Sequence, residues 1–295
     1  MPPQNPGRGS APDWSATGAA ILGSTGVPLL RLMREIFFGR DTSTFDQEVV
    51  ATAARLGWIS KGSNHSWRLT PHGGYVADSA REYCNWLDDI RKLPSRITDA
   101  DVAGKAVLDI GCGFGRHVFS ASHLATLAVG LEAEQAYIKM SSILRSLENI
   151  TAAEFACGTG ERLPFADRVF DLIMCIRALP YMDATLAIPE IARVLRVGGK
   201  AHLVVATFQY FIDELFGSAP QPFRIREKLS LIKRMIDSLW LSWTRKPMFR
   251  RNSKSTTGTY YLFTNRRLHG IMQSAGLKII EQCAAEQLFV VERIR

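Results

Sequence analysis

The residues able to do chemistry gather most densely between Val107 and His117, a stretch that reads VLDIGCGFGRH. Val107, Leu108 and Ile110 have the apolar character of a buried strand end. Gly111, Gly113 and Gly115, separated only by Cys112 and Phe114, make a turn with little side-chain bulk. Glycine reaches positive φ without a Cβ clash and lets backbone approach a ligand closely. From Arg116 onward the chain can begin a helix, whose first N–H groups attract a carboxylate or phosphate. Strand, glycine turn and helix start together make a cofactor cradle.

Spacing selects the cofactor. A dinucleotide fingerprint wants G-x-G-x-x-G. Here the third glycine comes one residue early, at Gly115, and Arg116 stands where that pattern needs glycine. An acid, Asp109, precedes the turn by two. The stretch resembles motif I of the class I S-adenosylmethionine-dependent methyltransferases, D-x-G-x-G-x-G. The resemblance implies that Asp109, Gly111, Cys112, Gly113 and Gly115 border S-adenosylmethionine, which leaves as S-adenosylhomocysteine.

Glu132 closes the next apolar run, Leu127 to Leu131. It lies about twenty residues past the glycines, where a doubly wound fold places its ribose-binding acid. A carboxylate there accepts from both ribose hydroxyls, and Ala133 beside it joins the cofactor set. The competing reading is a glutamate that only complements a helix dipole, worth about 0.3–1 kcal/mol.

Two further passages extend the resemblance. Cys157-Gly-Thr-Gly-Glu-Arg-Leu-Pro-Phe165, followed by Phe170-Asp171, is similar to the G-D-A-E-x-L-P-F…S-F-D passage of the methyltransferase type 11 group. Thr159 replaces the family's adenine-binding Asp; its hydroxyl can accept the same bond, though a neutral acceptor is weaker. Gly160 takes the small-residue position beside the adenine. Pro189-Glu190-Ile-Ala-Arg193-Val-Leu-Arg-Val-Gly198-Gly199 looks like the family's E-x-x-R-V-L-x-P-G-G, with Val197 in place of proline. Cys175, at the end of the apolar run Phe170 to Ile176, is expected to flank the cofactor. Arg177 next to it points to substrate or pairs with Asp183 or Glu190. Tyr181 and Tyr210 complete the substrate candidates. Methyl transfer needs alignment more than a base; Tyr181, Asp183, His202, Tyr210 and His72 are the groups that could take a proton, and the sequence assigns none of them. No metal is implied. No [DNS]-P-P-[FYW] sequence and no Pro-Cys pair mark the chain as a DNA methylase.

The elements needed to hold these residues alternate strand and helix from Lys105 on, which argues a parallel α/β sheet. The expected strands are Lys105–Ile110, Leu127–Leu131, Ala152–Ala156, Phe170–Ile176, Ala201–Ala206, Leu277–Cys283 and Leu288–Glu292. The expected helices are Arg116 to about Leu124, Ala136–Leu147 and Asn265–Ala275. The resemblance implies a doubly wound, seven-stranded Rossmann-like methyltransferase sheet with one antiparallel strand.

Before it, apolar periodicity predicts helices at Leu29–Phe38, Phe45–Leu56 and about His72–Leu93, with a small hairpin between the last two. Helix, helix, hairpin, helix resembles a winged helix. The helix Phe45–Leu56 offers little net positive charge for DNA. The resemblance to small-molecule methyltransferases, where a winged helix at this position serves as a dimer interface or substrate cover, implies that role rather than a nucleic-acid reader. The expected domains are a disordered tail at 1–20, a winged-helix-like helical domain at 21–98, and the methyltransferase domain at 99–295 with a cap insertion at 207–260. That insertion is aromatic and basic: Phe211, Trp240 and Trp243 occur with Arg224, Lys233, Arg245 and Arg251. A lid for an acidic or phosphorylated substrate, a membrane-surface helix for a lipid and a solvated helical cap all fit it.

The net charge of +8 favours acidic partners without choosing among them. Five scattered cysteines, an odd count with no C-x-x-C, argue against a disulfide framework and indicate no zinc site. No window reads as a membrane span, so a cytoplasmic enzyme is expected. Its function is read as methylation of an O or N atom of a small biosynthetic molecule, with a homodimer through the N-terminal domain. The competing readings are an RNA or protein methyltransferase that uses the basic insertion, and a winged-helix regulator that senses S-adenosylmethionine.

Overall fold

A computed structural model describes residues 13–62, 66–88, 92–205, 264–284 and 286–295, with five further positions between 236 and 244. In chain order the elements are helices α1 (Trp14–Leu22), α2 (Gly26–Phe37) and α3 (Gln47–Arg55), strands β1 (Ile59–Lys61) and β2 (Trp67–Leu69), helices α4 (Pro71–Asp88) and α5 (Asp99–Val102), strand β3 (Ala106–Ile110), helix α6 (Arg116–Ser122), strand β4 (Leu127–Glu132), helix α7 (Gln135–Leu147), and strands β5 (Ala153–Cys157) and β6 (Phe170–Ile176). A 3-10 turn (Leu179–Tyr181) precedes helix α8 (Ala184–Val194), strand β7 (Leu195–Val204), helix α9 (Asn265–Ser274) and strands β8 (Leu277–Cys283) and β9 (Leu288–Arg293).

Seven strands make one sheet in the order β5-β4-β3-β6-β7-β9-β8. β9 runs antiparallel to both β7 and β8, and the pairs β3–β6, β4–β5 and β6–β7 are parallel. This is a doubly wound, Rossmann-like, seven-stranded sheet with one antiparallel strand, as expected, and helices precede it in the chain. Among the described residues no single helix is long and apolar enough to cross a membrane.

The chain forms two compact units. The first joins the described residues up to Ala100 with Cys112–Cys157; the second joins Asp101–Gly111 with the described residues from Gly158 on. In the first, α2, α3, the antiparallel pair β1–β2 and α4 follow in the order the sequence predicts. Leu29, Leu30, Leu32 and Met33 of α2 are fully buried, because their spacing puts them on one helical face. α6 and α7 pack on β4 and β5, and α4 packs on α6 and α7. The N-terminal helices thus share a unit with half of the glycine turn's surroundings, where the sequence reading gave them a domain of their own.

In the second unit, Leu108, Ile110, Ile173, Met174, Ala201 and Leu203 lie at 0% exposure, as strands covered on both faces must. β7 is longer than expected. It starts at Leu195, and Gly198 (φ +79) sits in an irregularity where the partner register jumps from Phe170↔Leu195 to Leu172↔Lys200. The two glycines bulge the strand rather than precede it.

The expected tail also needs correction. Residues 1–12 lie outside the described set, but Trp14–Leu22 is helical. Asp13 Oδ1 accepts from Ser15 and Ala16 N–H at 3.1 and 3.0 Å, and Ile21 is fully buried. The Pro/Gly/Ser composition concealed an N-cap and one apolar anchor. The helix expected to reach Leu93 is described over Pro71–Asp88; positions 89–91 lie outside the described residues, and Leu93 is not helical. The insertion at 207–260 and Tyr210 lie outside the described residues, apart from helical positions Ile236, Leu239, Trp240, Trp243 and Thr244.

Candidate functional site

In the first unit the site is built on one carboxylate. Glu132, at the end of β4, accepts the Gly113 N–H on Oε2 and the Glu134 N–H on Oε1, both at 3.0 Å. One bond fixes the glycine turn and the other fixes the start of α7. Cys112 N–H donates to Leu131 O at 3.1 Å, and Gly115 N–H to Cys112 O at 2.9 Å. The Ser141 hydroxyl lies 3.4 Å from the Gly113 carbonyl. The dipole-complementing reading of Glu132 is therefore incomplete, since its carboxylate reaches back across the turn. Each oxygen keeps a further lone pair for an incoming donor. Ala133, exposed beside it, gives its carbonyl to the Cys157 thiol at 3.6 Å.

The three glycines of the turn have different reasons to be glycine. All have positive φ: +73 at Gly111, +54 at Gly113 and +97 at Gly115. A Cβ on Gly115 would stand 2.6 Å from the Phe155 ring, so this residue is small to let α6 close on β5. A Cβ on Gly111 would stand 2.3 Å from the Ala178 Cβ, within the second unit. A Cβ on Gly113 would meet nothing within 4 Å among the described residues. Packing explains two of the glycines, and of the three Gly113 alone has no described neighbour against its Cβ position. Uncovered backbone beside a carboxylate fits a ligand that approaches the main chain closely, as S-adenosylmethionine would.

In the second unit Asp109 is buried at 2% exposure, in parallel register with Met174. Cys175 follows Met174 and is fully buried. Burial pushes its thiol up to about 12, and the negative charge of Asp109 pushes the same way. It stays a neutral thiol at pH 7 and is no nucleophile. Gly160 is small because a Cβ there would come 2.4 Å from Met182 Sδ, and Thr159 beside it is exposed. Arg177 leaves β6 exposed, with φ +62. Its two suggested partners are engaged elsewhere: Glu190 pairs with Arg193 at 2.7 Å, and Asp183 Oδ1 caps α8 by accepting Thr185 N–H at 2.9 Å. Tyr181 is 43% exposed, at the end of the 3-10 turn.

The candidate bases separate. His72 shares a hydrogen bond with Thr17 Oγ1 at 3.2 Å and an edge contact with Trp14, and burial lowers its pKa. His202 lies mid-strand, paired with Met174 and Val290, and burial lowers its pKa too. Asp183 serves as a helix cap. Tyr181 is the remaining exposed candidate among the described residues.

A functional pair that sequence reasoning left without a role is Glu190 and Arg193. Glu190 Oε2 accepts Leu163 N–H at 2.8 Å. The Arg193 guanidinium donates to Leu163 O at 3.0 Å, to Phe165 O at 2.8 Å and to Asp167 at 2.8 Å. Together they hold the loop that follows Thr159 and Gly160. Their i, i+3 spacing on α8 was the readable signal. Asp171 acts similarly, accepting Ala106 N–H at 2.9 Å and both contacts from Arg196.

These contacts set expected outcomes for three variants. Gly113→Ala should cost about 1 kcal/mol of stability, from φ alone, yet abolish measurable S-adenosylhomocysteine binding. Gly115→Ala should lower stability by about 3 kcal/mol, from the clash with Phe155 added to its φ. Thermal unfolding and calorimetric titration separate the two. The hydrogen bond from Arg193 holds Glu190 below the ordinary glutamate range, with burial opposing it. A depressed carboxyl contributes stability above its unfolded pKa and loses it as pH falls through the folded value. Glu190→Gln should thus be less stable than wild type at pH 7, and its stability should fall less steeply below about pH 4.3, as urea unfolding at a series of pH values reads.

Residues 108–203 match the family model described as a methyltransferase domain. An uncharacterized methyltransferase of Bacillus subtilis (strain 168) is 34% identical over 99 residues, covering 33% of this chain and 39% of the relative. A fatty-acid O-methyltransferase of Mycolicibacterium smegmatis is 36% identical over 159 residues, covering 51% and 54%. A phthiotriol/phenolphthiotriol dimycocerosates methyltransferase of Mycobacterium ulcerans is 32% identical over 118 residues, covering 38% and 41%. The chain thus spans about 40–55% of the length of these relatives. The motif residues lie within the matched stretch: residues 108–203 carry a methyltransferase domain.

Proposed function

We propose that the protein transfers a methyl group from S-adenosylmethionine to an oxygen or nitrogen of a small acceptor molecule. The observation that carries this reading is the open backbone at Gly113 beside the Glu132 carboxylate. In this reading Asp109, Gly111, Cys112, Gly113 and Gly115 border the methionine end, and Glu132 with Ala133 takes the ribose hydroxyls. Thr159 accepts from the adenine amino group, with Gly160 and Cys175 as small walls. When bound, the cofactor supplies an electrophilic methyl on a sulfonium, open to in-line attack. The protein's part is to orient the acceptor and exclude water.

Two relatives are named for lipid acceptors, a fatty acid and phthiotriol dimycocerosates. They support a small biosynthetic acceptor, to which the exposed Arg177 would offer a cationic contact and Tyr181 a hydroxyl. Thr159→Asp places a charged acceptor where a neutral one stands and should leave S-adenosylhomocysteine affinity equal or tighter. A large loss would show that this position does not face adenine. Incubating the protein with methyl-labelled cofactor and cell extract should put label in the low-mass fraction. Label in RNA or protein would overturn the small acceptor, and absence of S-adenosylhomocysteine heat would overturn the cofactor assignment.

A further inference from the structure

Helix α4 lies against the two helices that begin at the cofactor residues, and it does so with polar groups. Tyr75, Asp78, Glu82 and Trp86 recur at i, i+3, i+7 and i+11, one face of the helix. Each meets α6 or α7. The Tyr137 hydroxyl donates to Asp78 Oδ2 at 2.6 Å, and the Tyr75 ring stands edge-on to Tyr137 at 5.9 Å. Glu82 Oε2 is 3.9 Å from Arg116, the first residue of α6. Trp86 Nε1 donates to Ser120 Oγ at 2.9 Å. Arg81 binds Asp78 at 3.0 Å and also contacts Glu82, so the acids on this face are tied to one another.

From Tyr137 the contacts continue to the glycine turn. One turn along α7, the Ser141 hydroxyl donates to Tyr137 O at 2.9 Å and lies 3.4 Å from Gly113 O. Gly113 N–H is the group held by Glu132. An apolar helix seam would stabilise as well without the desolvation cost of a carboxylate and a phenol. We propose that Asp78 and Tyr137 are positioning residues for the cofactor turn, so that α4 belongs to the cofactor-binding machinery. This inference rests on the S-adenosylmethionine reading above. Burial, then the Asp78 charge, raises the Tyr137 pKa, which keeps the phenol a donor at working pH.

The same helix supplies its own control. Tyr83 donates to Glu148, at the far end of α7 from Glu132. Tyr137→Phe should weaken S-adenosylhomocysteine binding about tenfold, the loss of one hydrogen bond to a charged acceptor. Tyr83→Phe should leave affinity within about twofold while lowering the melting temperature as much as Tyr137→Phe does. Asp78→Asn keeps an acceptor for the phenol and should recover most of the affinity lost in Asp78→Ala. Calorimetric titration of the full chain with S-adenosylhomocysteine reads all four variants. Unchanged affinity in Tyr137→Phe would overturn the pair, as would equal losses in Tyr137→Phe and Tyr83→Phe. Wild type that binds no S-adenosylhomocysteine is a separate result, and it overturns the cofactor reading itself.

Discussion

One carboxylate organises the first half of the site. Glu132 accepts one backbone N–H from the glycine turn and another from the start of α7. A turn with positive φ at alternate residues has no ladder of its own to hold it, so its donors need a fixed acceptor nearby. A charged acceptor makes such bonds shorter and stronger than a neutral one. Because β4 carries Glu132 at its last position, the sheet sets where that acceptor stands. The turn is consequently anchored to the strand through Glu132, which suits a site that must hold its ligand in one alignment.

The second unit solves the equivalent problem with a side-chain pair. The loop after Thr159 runs to Phe170 with no named strand to pin it. Glu190 and Arg193 on α8 hold its amide and carbonyls from beneath. The fork of an arginine can reach several carbonyl acceptors at once, which a lysine cannot do. Each unit therefore fixes an irregular stretch of backbone by anchoring it to a regular element. In one case the anchor is a strand end, and in the other it is a helix face.

The sequence was most readable where residue type and backbone conformation are linked. Positive φ at Gly111, Gly113 and Gly115 follows from glycine spacing, and the strand identities of Phe170–Ile176 and Leu277–Cys283 follow from apolar runs between turn signals. What could not be read was which neighbour each small residue faces. Gly115 answers to Phe155 and Gly160 to Met182, and nothing in local pattern announces a partner dozens of residues away. Likewise the roles of Glu190 and Arg193 depend on a loop that ends some twenty-five residues earlier. The helix Trp14–Leu22 was missed because composition averages over a window, whereas a cap is a single aspartate at the right place.

The N-terminal helices bear on how a common sheet becomes a particular enzyme. A doubly wound sheet brings the cofactor's residues together whatever precedes it, so its acceptor preference must come from elsewhere. Here the preceding helix α4 does not merely tether a second domain. It meets Arg116 and Ser120 on α6 and Tyr137 on α7, the helices that begin directly after Gly115 and Glu134. A change in α4 is therefore felt within one or two turns of the glycine backbone. A regulator that only sensed the cofactor would gain from a loose joint at this seam, so that binding could be reported as movement. A charged, hydrogen-bonded seam does the opposite: it makes displacement of α4 costly and commits the helix to holding the turn in one geometry.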